Sequence, residues 1–332
     1  MKYLVTGITG FAGPHLAKLL LKNGHEVHGI VRTANGREMD LIDIMTLEEI
    51  ESIKFHYADL KDFIGVQKVL SEGFDGVFHL AAQSHPPTSF INPIMTWNDN
   101  VSATMNLITL LEGTDTKFMF CSTSEVYGDT CKDVGLLGTD SKILPSNPYG
   151  ASKAAIDLYL QERFANGKLN GFITRAFSHT GPRRGKIFSI SSDAYQIAKM
   201  KLGLQKKTLK IGNLQTERVV VDVRDCVNAY YLLMLTEKSN GNVYNVCGEE
   251  IQKMQYYTDC LIKASEIPYE DIKQEIETKE RHGFPTNGKF QEYQRIGKGR
   301  KRAKDERHGE KREKEKKKKL LQRDSQRLQC SK

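Results

Sequence analysis

A chain of 332 residues, 39% hydrophobic and 27% charged, is long enough for one large α/β domain or two smaller ones. Its formal charge of +8 is unevenly placed: residues 279–332 hold 20 Lys and Arg against 8 Asp and Glu, so the preceding 278 residues carry 29 against 33. The body is therefore mildly acidic, and with no apolar run near the ~20 residues of a membrane span and no C-x-x-C or zinc spacing among six cysteines, membrane and metal classes are set aside.

Cys121, Cys226 and Cys247 lie in apolar stretches and are expected as buried thiols of a cytoplasmic protein. The first strand is expected from residue 2, so no signal peptide is expected.

Lys2–Thr6 is a short apolar run ending at glycine, the pattern of a buried parallel strand. Gly7, Gly10 and Gly13 follow, then Leu16, Leu19 and Leu20 at helical spacing and an Asn23-Gly24 stop signal. Glu26–Val31 is a second strand, ending at Arg32. Glycines in the first turn of such a βαβ unit let a pyrophosphate approach the helix N-terminus. A glycine triplet also occurs in ordinary turns; the strand, helix and strand around it favour dinucleotide binding. Arg32 stands where an acidic residue would meet the adenosine ribose of NAD. A cation there suits the 2′-phosphate of NADP, and the plain alternative is a solvated arginine at a strand end.

Lys54–Tyr57 reads as a third strand, followed by Ala58-Asp59-Leu60. Val77–Ala82 is the next, and its small terminal residues leave space for a ligand at the sheet edge. His85, beside Pro86 and Pro87, reads as a polar loop residue. A helix is expected over Asn100–Leu111 and a strand over Lys117–Cys121, running into Ser122-Thr123-Ser124-Glu125. After a turn at Pro145–Pro148, a helix from near Tyr149 puts Tyr149 and Lys153 on one face. Gly171–Ala176 is a further strand. The alternation predicts an α/β fold, a Rossmann-type doubly wound parallel sheet. Residues 1–177 are expected to form the dinucleotide-binding domain. Residues 178–278 would form a smaller C-terminal substrate lobe, with helices at Ser192–Met200 and Cys226–Leu235 and strands at Thr208–Ile211 and Asn242–Cys247, some returning to the main sheet. Residues 279–332 read as a basic low-complexity tail, disordered or a solvated helix, or a terminus altered by a change of reading frame. No aromatic residues interleave the charges of its most basic part, residues 298–332, so nucleic acid is not an expected partner.

Thr123, Glu125, Tyr149 and Lys153 supply a hydroxyl, a carboxylate, a phenol and an ammonium. A phenol with a free pKa of about 10 needs a neighbouring cation to act as a base near neutrality, and Lys153 lies one turn away. Thr123 would donate to the oxygen of a forming ketone. Glu125, two residues on in an extended chain, would point to the same side. There its carboxylate removes the proton beside the ketone, and its acid form protonates a leaving hydroxyl. A simple reductase needs only the other three groups, so Glu125 separates dehydration from reduction.

Five segments together resemble the extended short-chain dehydrogenase/reductases, the epimerase/dehydratase superfamily. They are Thr6-Gly7-Ile8-Thr9-Gly10-Phe11-Ala12-Gly13, His79-Leu80-Ala81-Ala82-Gln83-Ser84-His85, Ser122-Thr123-Ser124-Glu125-Val126-Tyr127-Gly128, Asn147-Pro148-Tyr149-Gly150-Ala151-Ser152-Lys153 and Ser178-His179-Thr180-Gly181-Pro182-Arg183-Arg184-Gly185. The chain most resembles the GDP-mannose 4,6-dehydratases, with the GDP-4-keto-6-deoxymannose reductases next, over roughly residues 1–260. The resemblance implies that Gly7, Gly10, Phe11 and Gly13 hold the dinucleotide phosphates, and that Asp59 and Leu60 meet the adenine. Leu80, Ala81, Ala82 and Ser84 would line the nicotinamide side, with Tyr149, Lys153, His179 and Arg184 as further cofactor contacts. Ser84, Thr123, Ser178 and Arg218 would touch the nucleotide sugar. The implied cofactor is NADP, with NAD possible; the implied substrate is GDP-mannose, and the implied assembly a homodimer or homotetramer through a loop like Arg183-Arg184-Gly185. The sequence departs from the dehydratases at Thr33, where a second arginine is usual, at Met95, where a tyrosine is usual, and at Ser178, where asparagine is usual. Residues 187–254 look more like the reductases. A non-enzymatic dinucleotide-binding protein is a third reading, against which the intact Thr, Tyr and Lys set speaks.

Overall fold

The computed structural model describes residues 1–34, 36–132 and 137–276; the basic stretch 279–332 lies outside the described residues. Among those described, the strands are β1 (Lys2–Thr6), β2 (Glu26–Val31), β3 (Lys54–Tyr57), β4 (Gly76–His79), β5 (Lys117–Thr123), β6 (Gly171–Ala176), β7 (Ser178–Thr180), β8 (Thr208–Ile211), β9 (Glu217–Asp222), β10 (Val243–Val246), β11 (Ile251–Lys253) and β12 (Lys273–Ile276). Seven form one sheet in the order β10-β6-β5-β4-β1-β2-β3, with every neighbouring pair parallel. The strand order reverses between β1 and β4, and the crevice outside their carboxyl ends is where such sheets bind ligands.

Period-two alternation divides the sheet's side chains between two cores. Tyr3, Val5, Phe78, Met119 and Phe172 face the helices Ala12–Lys22 and Val223–Leu235. Leu4, Val77, Phe118, Phe120 and Ile173 face the helices Phe63–Leu70, Ala103–Leu111 and Pro148–Ala165. Leu16 and Leu20 are fully buried, each contributing about 1.5–3 kcal/mol, which is why the leucine spacing after the glycine turn was readable as a helix.

The remaining strands make a three-stranded sheet, β11-β9-β7, and a two-stranded one, β12-β8. Helices Ser189–Lys201 and Met254–Ser265 close a separate small core around Ile197, Met200, Leu209, Ile211 and Ile262. Two segments expected in this lobe join the main sheet and its covering helices: β10 extends the sheet beyond β6, and the helix Val223–Leu235 lies beside Ala12–Lys22 on one face.

Three local expectations differ from the structure. β4 stops at His79, not Ala82, because the chain leaves the sheet to pass against Gly7, with Ala81 N donating to Thr6 Oγ1 at 3.2 Å. The helix expected from Asn100 begins with a π-helical turn, Asn98–Ser102, in which the Asn100 side chain bonds the backbone of Gln83 on both its atoms (2.8 and 3.0 Å). Cys247 is exposed, since it lies just past the end of β10 rather than in it, while Cys226 is buried and Cys121 half-buried. His85 sits at the cap position of a short helix, Pro86–Ile91, its ring bonded to Thr88 Oγ1 at 2.9 Å. No helix among the described residues is long and apolar enough to cross a membrane.

Candidate active site

The turn after β1 is built on missing side chains. Gly7 has φ +70°, and a Cβ there would lie 2.8 Å from Ala81 N; at Gly13 it would lie 2.6 Å from Ile8 Cα. Without those atoms, β1, the helix Ala12–Lys22 and the 80–82 loop close on one another. The helix carries neither a side-chain cap bond at Phe11 nor an acid in its first turn, so its N–H groups and positive dipole end suit an anion. Behind the loop, Thr6 Oγ1 bonds His79 Nδ1 at 2.7 Å, and His79 Nε2 bonds Thr104 Oγ1 at 2.8 Å. Burial first, and Lys153 second, push the His79 pKa down to about 3, so this ring is neutral and serves as a fixed spacer.

A cavity of about 420 Å³ opens over this turn. Gly7, Gly10, Phe11, Gly13, Arg32, Asp59, Leu60, Leu80, Ala81, Ala82, Ser84, Tyr149, Lys153, His179 and Arg184 all line it, so every residue named for the dinucleotide faces one space. Thr9, Arg37, Asp99 and Tyr230 line it as well and were not singled out in the sequence, and so do Thr33, noted only as a departure from the dehydratases, and Cys121, noted only as an expected buried thiol. The Arg32 side chain is 63% exposed at the cavity rim, 3.8 Å from Asp99 Oδ2, while Asp99 Oδ1 accepts from Lys61 Nζ at 2.9 Å.

A second cavity, about 270 Å³, lies beyond it and is lined by Thr123, Glu125, Ser178 and Arg218 among others. Ser84, Tyr149, His179 and Arg184 border both spaces and mark their junction. Here one expectation is corrected. Thr123 and Glu125 do not share a side by strand alternation: β5 ends at Thr123, which caps a 3-10 turn, Ser124–Val126, through Glu125 N at 3.3 Å. The turn, not the pleat, brings the carboxylate to the cavity.

The helix Pro148–Ala165 approaches that turn closely, since a Cβ on Gly150 would lie 2.7 Å from Glu125 O. Asn147 caps the helix, its Oδ1 accepting from Gly150 N at 2.7 Å, while its Nδ2 donates to Glu125 Oε2 at 2.7 Å. This contact went unnoticed in the sequence; an Asn-Pro pair opening a helix was the signal that could have found the cap.

Tyr149 and Lys153 are 8% and 2% exposed. Burial pushes the phenol well above its ordinary range, and Cys121 and Glu125 add to this; a hydrogen bond with Thr123 and the charge of Arg184 pull it back. Burial likewise pushes the Lys153 amine down to about 8, against the pull of Cys121 and Asp157, and the amine sits 4.1 Å above the Phe120 ring. Arg184 adds a positive charge that acts on the phenol. Burial lowers Arg184 to about 10, and its guanidinium lies 4.6 Å over Phe11 and 3.5 Å over Phe188. Phe11 in turn stacks on His179 with centroids 5.6 Å apart. Arg183, with φ 70°, folds onto its own chain and donates to Thr9 O at 3.1 Å and to Asp40 O.

Beneath the site, Arg175 and Asp157 form a fully buried pair at 2.8 and 2.9 Å. Ser122 Oγ donates to Asp157 Oδ2 at 2.6 Å, and Arg175 also reaches Tyr127 Oη at 2.9 Å. This network ties β5, β6 and the Tyr149 helix together just behind Thr123. Charges buried this way are held by being paired and fully hydrogen-bonded.

Among known proteins, the chain is 30% identical over 275 residues to the GDP-6-deoxy-D-mannose reductase of Pseudomonas aeruginosa, covering 82% of this chain and 83% of that protein. It is 31% identical over 270 residues to GDP-mannose 4,6 dehydratase 2 of Arabidopsis thaliana, covering 77% and 70%. The solved structure of RMD from Pseudomonas aeruginosa complexed with NADPH matches with a TM-score of 0.68 at 28% identity, covering 83% of this chain and 87% of that one. A family model described as GDP-mannose 4,6 dehydratase matches residues 4–321, running past the described residues into the basic stretch. The chain belongs to the GDP-mannose 4,6 dehydratase family.

Proposed function

We propose that this protein is a GDP-mannose 4,6-dehydratase, converting GDP-mannose to GDP-4-keto-6-deoxymannose with NADP as a bound cofactor. The observation that carries the reading is the Glu125 carboxylate, which faces the same cavity as Thr123 and Tyr149 and is held there by Asn147. The glycine cradle, which a Cβ at Gly7 or Gly13 would fill, suits a dinucleotide pyrophosphate. When bound, the nicotinamide accepts a hydride from the sugar and later returns it.

In this reading Gly7, Gly10, Phe11 and Gly13 hold the phosphates, Arg32 meets the 2′-phosphate, and Asp59 and Leu60 meet the adenine. Leu80, Ala81, Ala82, Ser84, His179 and Arg184 enclose the nicotinamide half, with Lys153 beside its ribose. Tyr149 takes the proton of the sugar C4 hydroxyl while Thr123 donates to that oxygen. The ketone so formed acidifies C5–H, and Glu125 takes that proton. Glu125 then passes the proton to the C6 hydroxyl, which leaves as water; as C6 regains the hydride, C5 takes back a proton from Tyr149, so carboxylate and phenol both end as they began. Ser84 and Ser178 contact the sugar nucleotide and Arg218 its diphosphate. The functional unit is a homodimer or homotetramer.

A second reading, reduction of the 4-keto-6-deoxy sugar, draws support from the 30% identity to a protein named as that reductase. Incubating the full chain with GDP-mannose and no added reductant separates the two. Accumulation of a keto sugar is the expected result; turnover only on adding NADPH and the keto sugar would replace the first reading with the second.

A further inference from the structure

We propose that Asn147 is a positioning residue for the elimination step: one side chain both caps the helix that carries Tyr149 and Lys153 and aims the Glu125 carboxylate at the substrate. The proposal rests on the reading of Glu125 as the elimination acid/base.

Asn147 is 6% exposed, and its amide orientation is fixed by chemistry. Gly150 N–H needs an acceptor, so Oδ1 faces it at 2.7 Å; Nδ2 then has to face Glu125 Oε2, also at 2.7 Å. The backbone cannot swing the amide away. Asn147 precedes Pro148, which forces an extended conformation, and its φ −148° and ψ 158° are just that. On the other side, the absence of a side chain at Gly150 lets the Glu125 backbone come into contact with the same helix turn. Glu125 is thereby fastened at backbone and side chain to the element that bears the phenol. The turn brings the carboxylate to the cavity, and the helix fixes where it points there.

Capping alone does not demand asparagine. Aspartate caps equally well, and glycine costs only a few tenths of a kcal/mol. Neither carries a donor for Glu125. Asn147→Asp keeps the cap and sets a second carboxylate against the first, so the two must share a proton. Asn147→Gly keeps most of the cap and lets Glu125 turn freely.

The test compares wild type, Asn147→Asp, Asn147→Gly and Glu125→Gln as full-length, cofactor-loaded protein. Melting temperatures check folding, and with GDP-mannose kcat, KM, the pH–rate profile and the near-ultraviolet absorbance of reduced nicotinamide are read. We expect kcat to fall about tenfold or more in both Asn147 variants, with KM changed less than about threefold. The acid limb of Asn147→Asp should move to higher pH by about one unit. Reduced nicotinamide should build up during turnover, because hydride removal proceeds while elimination lags. If Glu125→Gln blocks elimination while both Asn147 variants match wild type in kcat and pH profile, Asn147 is a cap and nothing more. If Glu125→Gln eliminates normally, the reading of Glu125 itself fails, and the proposal falls with it. Should Asn147→Asp melt far below wild type, the glycine variant decides.

Discussion

The Lys153 amine is 2% exposed, lies over an aromatic ring, and is shifted from its ordinary 10.5 to about 8 by burial. Below about pH 8 it is charged in folded and unfolded chains alike, and folding bears the full cost of burying that charge. Between about 8 and 10.5 the folded chain binds fewer protons than the unfolded one, so this group's contribution makes stability rise with pH across that window. Lys153→Met removes the charge and keeps the stem. We predict that it abolishes turnover yet raises the melting temperature at pH 7 by several degrees, the gain shrinking toward pH 10.5. A melting temperature lowered at pH 7 would mean that the amine is a net stabiliser. The Tyr149 and Lys153 pair was legible because helical spacing alone puts i and i+4 on one face. The environment of each was not, since it depends on Phe120 and Arg184, which come from other elements.

At the scale of elements, the glycine turn carries the account. An alanine at position 13 would put its Cβ 2.6 Å from Ile8 Cα and Ile8 O, backbone atoms that cannot step aside. The helix N-terminus would be pushed off the turn, at a cost of about 1–3 kcal/mol. We predict that Gly13→Ala weakens dinucleotide affinity about tenfold or more, measured as cofactor retained on dialysis. Gly212→Ala, where no atom lies within 4 Å of the added methyl, should retain it fully; equal retention in both would remove the close approach from the argument. Strands and helices with a buried stripe were readable from apolar spacing, β1, β2 and Ala12–Lys22 above all. Element ends were not. β4 ends early and Glu125 falls in a 3-10 turn because tertiary contacts, Ala81 against Gly7 and Gly150 against Glu125, bend the chain where local pattern suggests it runs on.

Over the whole molecule, the sheet order and a single crevice at β1 and β4 gather side chains spread from Gly7 to Arg218 into two adjoining cavities. The strand-and-helix alternation made the doubly wound class legible. It could not tell which later segments rejoin the main sheet, because the pairing of β10 with β6 is a long-range contact with no local signature. Ile91, Ile94, Trp97 and Leu158 are 82%, 73%, 47% and 53% exposed, and the helices Pro93–Trp97 and Pro148–Ala165 lie side by side. Large apolar side chains exposed together mark association surfaces. We therefore expect sedimentation at micromolar concentration to give a dimer or tetramer that Ile94→Glu dissociates; a monomeric wild type would contradict this. The central claim, that one carboxylate turns an oxidoreductase site into a dehydratase, is tested most directly with GDP-mannose carrying deuterium at C4 and no added reductant. The account predicts that wild type delivers the deuterium to C6 of a 4-keto-6-deoxy product and that Glu125→Gln forms no such product. Equal transfer by Glu125→Gln, or a wild type that makes no keto sugar from GDP-mannose, would contradict it.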